Sequence, residues 1–300
     1  MALNAEYNRD RIQRLKEELN GVIVAHNYQR PEVQEVADFV GDSLELSRLC
    51  ADTDADTIVF CGVRFMAESA AILNPGKEVL LTDINAGCPL ADMITAKALR
   101  ELKEKHPEAA VVCYINSSAA VKAESDCCCT SANAIDVVNS MDESSIIFVP
   151  DRNLGNYVSA HTKKRVILSK GYCYVHNGLK AGDIRKGSDA EVIVHPECTP
   201  SVTALADRVM STAQMLRYVK ESRRERFVIG TEAGMIYPLK KQNPGKEFIP
   251  LSEEAVCFDM KRTTIEKVIQ TMEQRKNVVT VPEEIRVRAK RALDRMLEIG

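Results

Sequence analysis

The sequence predicts an α/β protein: three αβα sandwich domains with small parallel sheets, related by a pseudo-threefold axis and facing one central site. Three observations carry this. Short apolar runs alternate with helical patterns at intervals of roughly 10–15 residues, the pattern of βαβ units. Three apolar runs each lead into a turn-rich loop with a cysteine: KEVLLTDINAGC to Cys88, KRVILSKGYC to Cys173 and KEFIPLSEEAVC to Cys257. The steps from 88 to 173 and from 173 to 257 are 85 and 84 residues, and Ser43, Ser131 and Ser211 precede these cysteines by 45, 42 and 46 residues. Solenoid repeats are usually shorter than this period.

In chain order, residues 8–20 read as a helix with Ile12, Leu15 and Leu19 on one face, stopped by Gly21. VIVAHN (22–27), TIVFCG (57–62) and KEVLL (77–81) are strands. Helical stretches lie around 31–38, 44–51 and 65–73, the second suited to capping by Ser43. Pro89 opens a helical pattern, where a first-turn proline costs nothing. The second copy has a helix over 91–105, strands at 110–116, 145–150 and 165–169, and a helix starting at Thr130-Ser131. The third has strands at 190–197, 226–231 and 247–251 and a helix starting at Ser211-Thr212. Helices near 263–275 and 282–298 follow, the last with Ile285, Ala289, Leu293 and Met296 on the face that packs back on the core. The expected divisions are 1–90, 91–188, 189–276 and a C-terminal helical segment 277–300.

Composition narrows the function. Three hundred residues, 45% hydrophobic, bury a large core, and a net charge of −3 argues against a nucleic-acid partner. The N-terminus is charged from Glu6 onward and lacks the apolar centre of a signal peptide. The longest apolar run, AAVVCYI at 109–115, is far too short to span a bilayer. A cytoplasmic protein without membrane contact is expected. In a reducing compartment its ten cysteines are metal-binding, catalytic or buried rather than disulfide-bonded.

Structural zinc takes four protein ligands, often as CxxC pairs, and no such pair occurs here. Three thiolates from distant loops match a [4Fe–4S] cluster with one iron lacking a protein sulfur, whereas ordinary cluster carriers use four cysteines. An open iron binds a substrate oxygen as a Lewis acid. The other reading is three ordinary loop cysteines at an accidental spacing. Cys50, Cys61 and Cys113 read as core. Cys127–Cys129 read as a short, mostly structural strand, and Cys198 is the rival ligand.

Polar residues recur where the apolar strands end: His26, Asn27 and Tyr28; Tyr114 and Asn116; His195 and Glu197; Thr231 and Glu232. His176 follows Cys173 by three residues. With Ser43, Ser131, Ser211 and Thr212 at helix starts, where anions are favoured, they describe a cavity for a substrate with two or more anionic groups.

These motifs together resemble quinolinate synthases: AHNYQ (25–29), GDSLELS (41–47), the Cys88 loop, YIN (114–116), CTSANA (129–134), Cys173 with His176, HPEC (195–198), TEAGM (231–235) and CFDMK (257–261). They run in order over essentially the whole chain. The resemblance implies condensation of iminoaspartate with dihydroxyacetone phosphate to quinolinate, toward NAD, and a functional link to an enzyme that makes iminoaspartate. It implies Cys88, Cys173 and Cys257 as cluster ligands. His26, Ser43, Tyr114, Asn116, Ser131, His195, Ser211 and Thr212 would line the substrate site together with Glu197 and Thr231. Tyr28 and Glu197 would be the acid–base pair, with Tyr114 and His176 as further catalytic candidates. The alternatives are an aconitase-type hydro-lyase and a non-catalytic iron–sulfur sensor, the latter without a visible recognition helix.

Overall fold

The computed structural model describes residues 2–184 and 189–299; the expected division points at 1, 188 and 300 lie outside them. It contains three parallel four-stranded sheets flanked by helices, as the α/β reading requires. The first holds β1 (Gly21–His26), β2 (Phe39–Gly41), β3 (Thr57–Cys61) and β4 (Glu78–Leu81). The second holds β5 (Ala109–Tyr114), β6 (Cys127–Cys129), β7 (Ser145–Val149) and β8 (Arg165–Leu168). The third holds β9 (Glu191–Val194), β10 (Arg208–Val209), β11 (Arg226–Gly230) and β12 (Glu247–Pro250). The spatial order is the same in all three: second strand, first, third, fourth. β3 (TIVFC) and β7 (SIIFV) are buried at every position, as parallel strands covered on both faces must be.

Register sets the strand ends of the three copies in correspondence. Ala25 pairs with Cys61, Cys113 with Val149, and Val194 with Gly230. His26, Tyr114 and His195 are therefore equivalent, and so are Tyr28, Asn116 and Glu197. One aspartate before each edge strand pins its neighbour: Asp38, Asp126 and Asp207 accept the N–H of Ile23, Val111 and Val192 at 2.8, 2.7 and 2.8 Å. The order second–first–third puts the topological switch between the first and third strands, where open α/β sheets bind ligands beyond the strand C-termini.

The structure corrects several local expectations. The edge strands β2 and β10 are additional; with three and two residues they are too short to show a period. The helix at 31–38 is only Pro31–Gln34. Residues 91–93 form a single 3₁₀ turn, and the helix proper is Ala96–Lys105, capped by Thr95. Asp42, not Ser43, caps the helix Ser43–Asp52, in a reciprocal capping box with Glu45. The helix after Thr130-Ser131 begins only at Ala134.

Cys50, Cys61, Cys113 and Cys127–Cys129 are core residues, fully buried. Ala289, Ala292, Leu293 and Met296 of the helix Glu283–Ile299 are buried against β6 and the helices Ala119–Lys122 and Arg64–Leu73. The helix Ala2–Leu19 seats Ile12 and Leu15 in one cluster with Val268, Ile269 and Met272 of the helix Ile265–Gln274. Among the described residues no helix is long and apolar enough to cross a membrane.

Candidate active site

The equivalent strand ends converge on one small polar cavity. From the three first strands come His26 and Tyr28, Tyr114 and Asn116, and His195 and Glu197. Two of these ends share a backbone device: the N–H of Tyr28 donates to His26 Nδ1 at 3.1 Å, and the N–H of Glu197 to His195 Nδ1 at 3.3 Å. Burial, assisted by the Lys261 charge, pushes the His26 imidazole down to about 3, so it is neutral near pH 7. Burial also lowers His195.

Helix starts supply the other wall. By register Gly41, Cys129 and Met210 are equivalent, so Asp42, Thr130 and Ser211 form one set and Ser43, Ser131 and Thr212 the next. The second set lines the cavity; Ser211 does not. Ser211 is the fully buried cap of the helix Thr212–Glu221, its Oγ accepting the Gln214 N–H at 3.3 Å. The serine periodicity thus pairs non-equivalent residues in the third copy. Ser131 is not a cap: its Oγ lies 3.1 Å from His195 Nε2. Asp42 also lines the cavity, and burial pushes its carboxyl up to about 6.

A second small cavity is lined by Cys88, Cys173 and Cys257. One rung recurs beside each: Arg64, Arg152 and Ala233 donate their backbone N–H to the carbonyls of Ala86, Gly171 and Ala255, all at 2.8 Å and each two residues before its cysteine. Burial raises all three thiols, Cys88 to about 12. Among the described residues no fourth cysteine lines this cavity; Cys198 is buried elsewhere, its Sγ 3.4 Å from the Gly230 carbonyl. Three soft sulfur donors from three loops, with no fourth, fit a cluster that keeps one iron free of protein sulfur.

Tyr28, Phe65, Asn116, Glu197 and Met260 line both cavities and form their common wall. Within it, Tyr28 Oη lies 2.6 Å from Thr231 Oγ1, which lies 2.8 Å from His176 Nε2. His176 Nδ1 is 2.8 Å from Glu197 Oε2, at ion-pair distance though not aligned as a hydrogen bond. Burial pushes the Tyr28 phenol well above its ordinary value, outweighing the Thr231 contact. It also pushes the Glu197 carboxyl up, but His176 and His195 outweigh it and hold Glu197 below the usual carboxylate range. Glu197 Oε1 and Asn116 Oδ1 are buried without partners, as groups awaiting a ligand are.

Cys173, His176 and Glu197 also bring one ligand atom each within 4.8 Å of one another, enough for a single metal ion. Both His176 nitrogens already face polar partners, Nε2 the Thr231 hydroxyl and Nδ1 the Glu197 carboxylate.

Of the residues expected from sequence, the structure brings together all but Asn27, Ser211 and Thr231 in the walls of the two cavities; Thr231 stands just behind Tyr28, and Asn27 Nδ2 donates to Thr212 Oγ1 at 3.2 Å. Asp42, Thr130, Phe65 and Met260 are additions to that set. Asp42 and Thr130 are legible as the residues before Ser43 and Ser131. Phe65 and Met260 are apolar and carry no chemical signal.

Three α/β units that together enclose three convergent thiols on one side and histidines, hydroxyls and a carboxylate on the other have the make-up of an enzyme acting on a small molecule. Residues 10–298 match the family model described as quinolinate synthetase A protein. A quinolinate synthase from Geobacter sp. strain M21 is 56% identical over 292 residues, 96% of each chain. One from Dehalococcoides mccartyi strain 195 is 54% identical over 293 residues, 96% of this chain and 97% of that one. Quinolinate synthase 2 of Methanosarcina acetivorans is 51% identical over 295 residues, 97% and 95%. The chain belongs to the quinolinate synthase family.

Proposed function

We propose that this chain condenses iminoaspartate with dihydroxyacetone phosphate to form quinolinate, releasing inorganic phosphate and two waters, and that Cys88, Cys173 and Cys257 hold a [4Fe–4S] cluster for this purpose. The observation that carries the reading is the common wall: Tyr28 and Glu197 face both the thiol cavity and the polar cavity. When bound, such a cluster supplies a Lewis acid for a substrate oxygen that departs as water.

The chain's own residues do the rest. Ser43, Ser131 and Thr212 offer hydroxyls to carboxylate and phosphate groups, and neutral His26 and His195 add ring nitrogens. Holding both substrates in one small cavity supplies orientation. Ring formation needs repeated carbonyl–enediol proton shifts. Tyr28, which keeps its proton, is the acid at the wall. Once its Oη proton has gone to the substrate, Tyr28 is reprotonated by Thr231 Oγ1 as Thr231 takes a proton from His176 Nε2, and Glu197 beside Nδ1 holds the imidazolium that supplies it. A supply of iminoaspartate by another enzyme and a cytoplasmic location, where the thiols stay reduced, go with this reading.

The test is anaerobic purification followed by iron, sulfide and product assay. Cys88→Ala, Cys173→Ala and Cys257→Ala should each remove most of the iron and sulfide and all quinolinate formation, whereas Cys128→Ser should change neither. A full cluster in any of the three alanine variants overturns that ligand assignment. Intact cluster with no quinolinate from the two substrates overturns the reaction.

A further inference from the structure

The three cysteine loops share the same backbone rung, but their side-chain anchors differ. The residue two beyond the third strand's register mark is Val63 in the first copy, Asp151 in the second and Glu232 in the third. Asp151 Oδ2 accepts the Cys173 N–H and Glu232 Oε1 the Cys257 N–H, both at 3.0 Å. Val63 offers Cys88 no such acceptor.

The two carboxylates then part company. Asp151 spends its other oxygen locally, accepting the Leu154 N–H at 2.8 Å. Glu232 reaches further: Oε2 accepts the Gly234 N–H at 2.7 Å and a proton of Lys261 Nζ at 3.0 Å. Lys261 Nζ also donates to the backbone carbonyl of Tyr28. Two more contacts run alongside. Arg30 Nε donates to the Lys261 carbonyl at 3.0 Å, and Gln29 Nε2 lies 3.5 Å from Met260 Sδ. The turn that presents Tyr28 is thus strapped to a segment three and four residues beyond Cys257. The strap runs through an ion pair whose carboxylate is fully buried and whose lysine is 18% exposed. Among the described residues no such ion pair ties the backbone of Tyr28 to the Cys88 or Cys173 loop.

We infer that Glu232 and Lys261 are positioning residues that couple the Cys257 loop to Tyr28, so that the placement of the catalytic phenol depends on the order of one cysteine loop out of three. The coupling rests on the reading of Tyr28 as the proton-handling residue, but its physical content is a hydrogen-bonded link that exists in the cluster-free chain as well.

Amide hydrogen exchange on cluster-free protein tests it directly. Lys261→Met keeps the stem and removes the ammonium. Exchange in peptides covering 26–30 and 257–262 should rise by about tenfold, the loss of one charge-assisted hydrogen bond, while residues 171–176 stay unchanged. Asp151→Asn should do the reverse, loosening 171–176 and leaving 26–30 protected. In cluster-loaded Lys261→Met, iron content should hold while kcat falls by about tenfold or more with KM little changed, the signature of a misplaced catalytic group.

If Lys261→Met fails to fold because Glu232 is left as a buried unpaired charge, the neutral pair Glu232→Gln/Lys261→Met must show the same rise at 26–30. Unchanged exchange at 26–30 in whichever of these variants folds, or an equal rise at 171–176, overturns the coupling. Full turnover in Tyr28→Phe overturns the role of the phenol and leaves the exchange result standing.

Discussion

Tyr28 and Glu197 occupy the same place in the first and third copies. Each stands two residues beyond a histidine, and each turns its N–H back onto that histidine's Nδ1. The backbone is repeated, yet one site delivers a phenol held protonated by burial and the other a carboxylate held ionised by two imidazoles. The third equivalent position is Asn116, which does not titrate. The comparison teaches that the threefold frame sets where a side chain enters the cavity, the residue type sets its ordinary protonation state, and local burial and charge reinforce it. A phenol and a carboxylate in equivalent places differ intrinsically, and their surroundings widen the gap.

The sharpest break of that comparison is to remove each chemistry while keeping each shape. Tyr28→Phe and Glu197→Gln should both retain iron and sulfide and lose on the order of a hundredfold or more in turnover, the usual range for general acid–base groups. Steady-state assay of cluster-loaded variants checks this. If only one falls, the two equivalent positions are not the ends of one proton path.

A smaller effect separates two residues that sequence spacing alone treats alike. Thr212→Val removes a hydroxyl from the cavity wall and should raise KM, and it also takes from buried Asn27 Nδ2 its partner at 3.2 Å. Ser211→Ala removes a helix cap and should cost about 1 kcal/mol of stability with little change in KM. Thermal melts and substrate titrations of the two variants decide it, and the opposite pattern would restore Ser211 to the site.

A further effect, on stability rather than turnover, concerns the proton at His26. His26 sits at about 3 in the folded chain against 6.5 unfolded, so the unfolded chain takes up the proton first. The stability from keeping it neutral is present above pH 6.5 and is lost as pH falls toward 3. Asp42, raised from 3.8 to about 6, has the opposite sign: its contribution is complete below 3.8 and is lost as pH rises through 6. The two oppose each other in the acid range, so the variant, not the whole protein, is informative. His26→Asn should flatten the loss between pH 7 and pH 5 by about 2 kcal/mol, since each tenfold difference in proton affinity is worth about 1.36 kcal/mol. Urea titrations of cluster-free protein at the two pH values measure it.

Much of this frame is legible in the chain. Apolar strands of four to six residues are visible because parallel strands are buried on both faces, and three cysteines at near-equal steps reveal the copies. The edge strands β2 and β10 escape because three and two residues carry no period, whereas β6 is read from its run of cysteines. The aspartates that start them, Asp38, Asp126 and Asp207, are a usable mark that the cysteine and serine landmarks overshadow. Within the site, titratable and thiol side chains announce themselves. Phe65 and Met260 do not, since an apolar wall residue looks like core until the cavities are seen. The Ser211–Thr212 shift is illegible for another reason: hydroxyl residues serve equally as cap and as ligand, and only strand register tells which face each takes.

The C-terminal helix Glu283–Ile299 has a consequence for biosynthesis. Its Met296 carbonyl accepts from Asn133 Nδ2 at 3.3 Å, and Asn133 Oδ1 in turn accepts the Thr130 N–H at 2.8 Å in the turn that presents Ser131. The helix also packs on β6, the shortest strand of its sheet. A nascent chain emerges at roughly 5–20 residues per second, so the second copy waits on the order of ten seconds for the helix that fastens its own ligand turn. Until then the Ser131 turn lacks one of its fasteners: Asn133 Oδ1 can still accept the Thr130 N–H, but Asn133 Nδ2 has no Met296 carbonyl to meet.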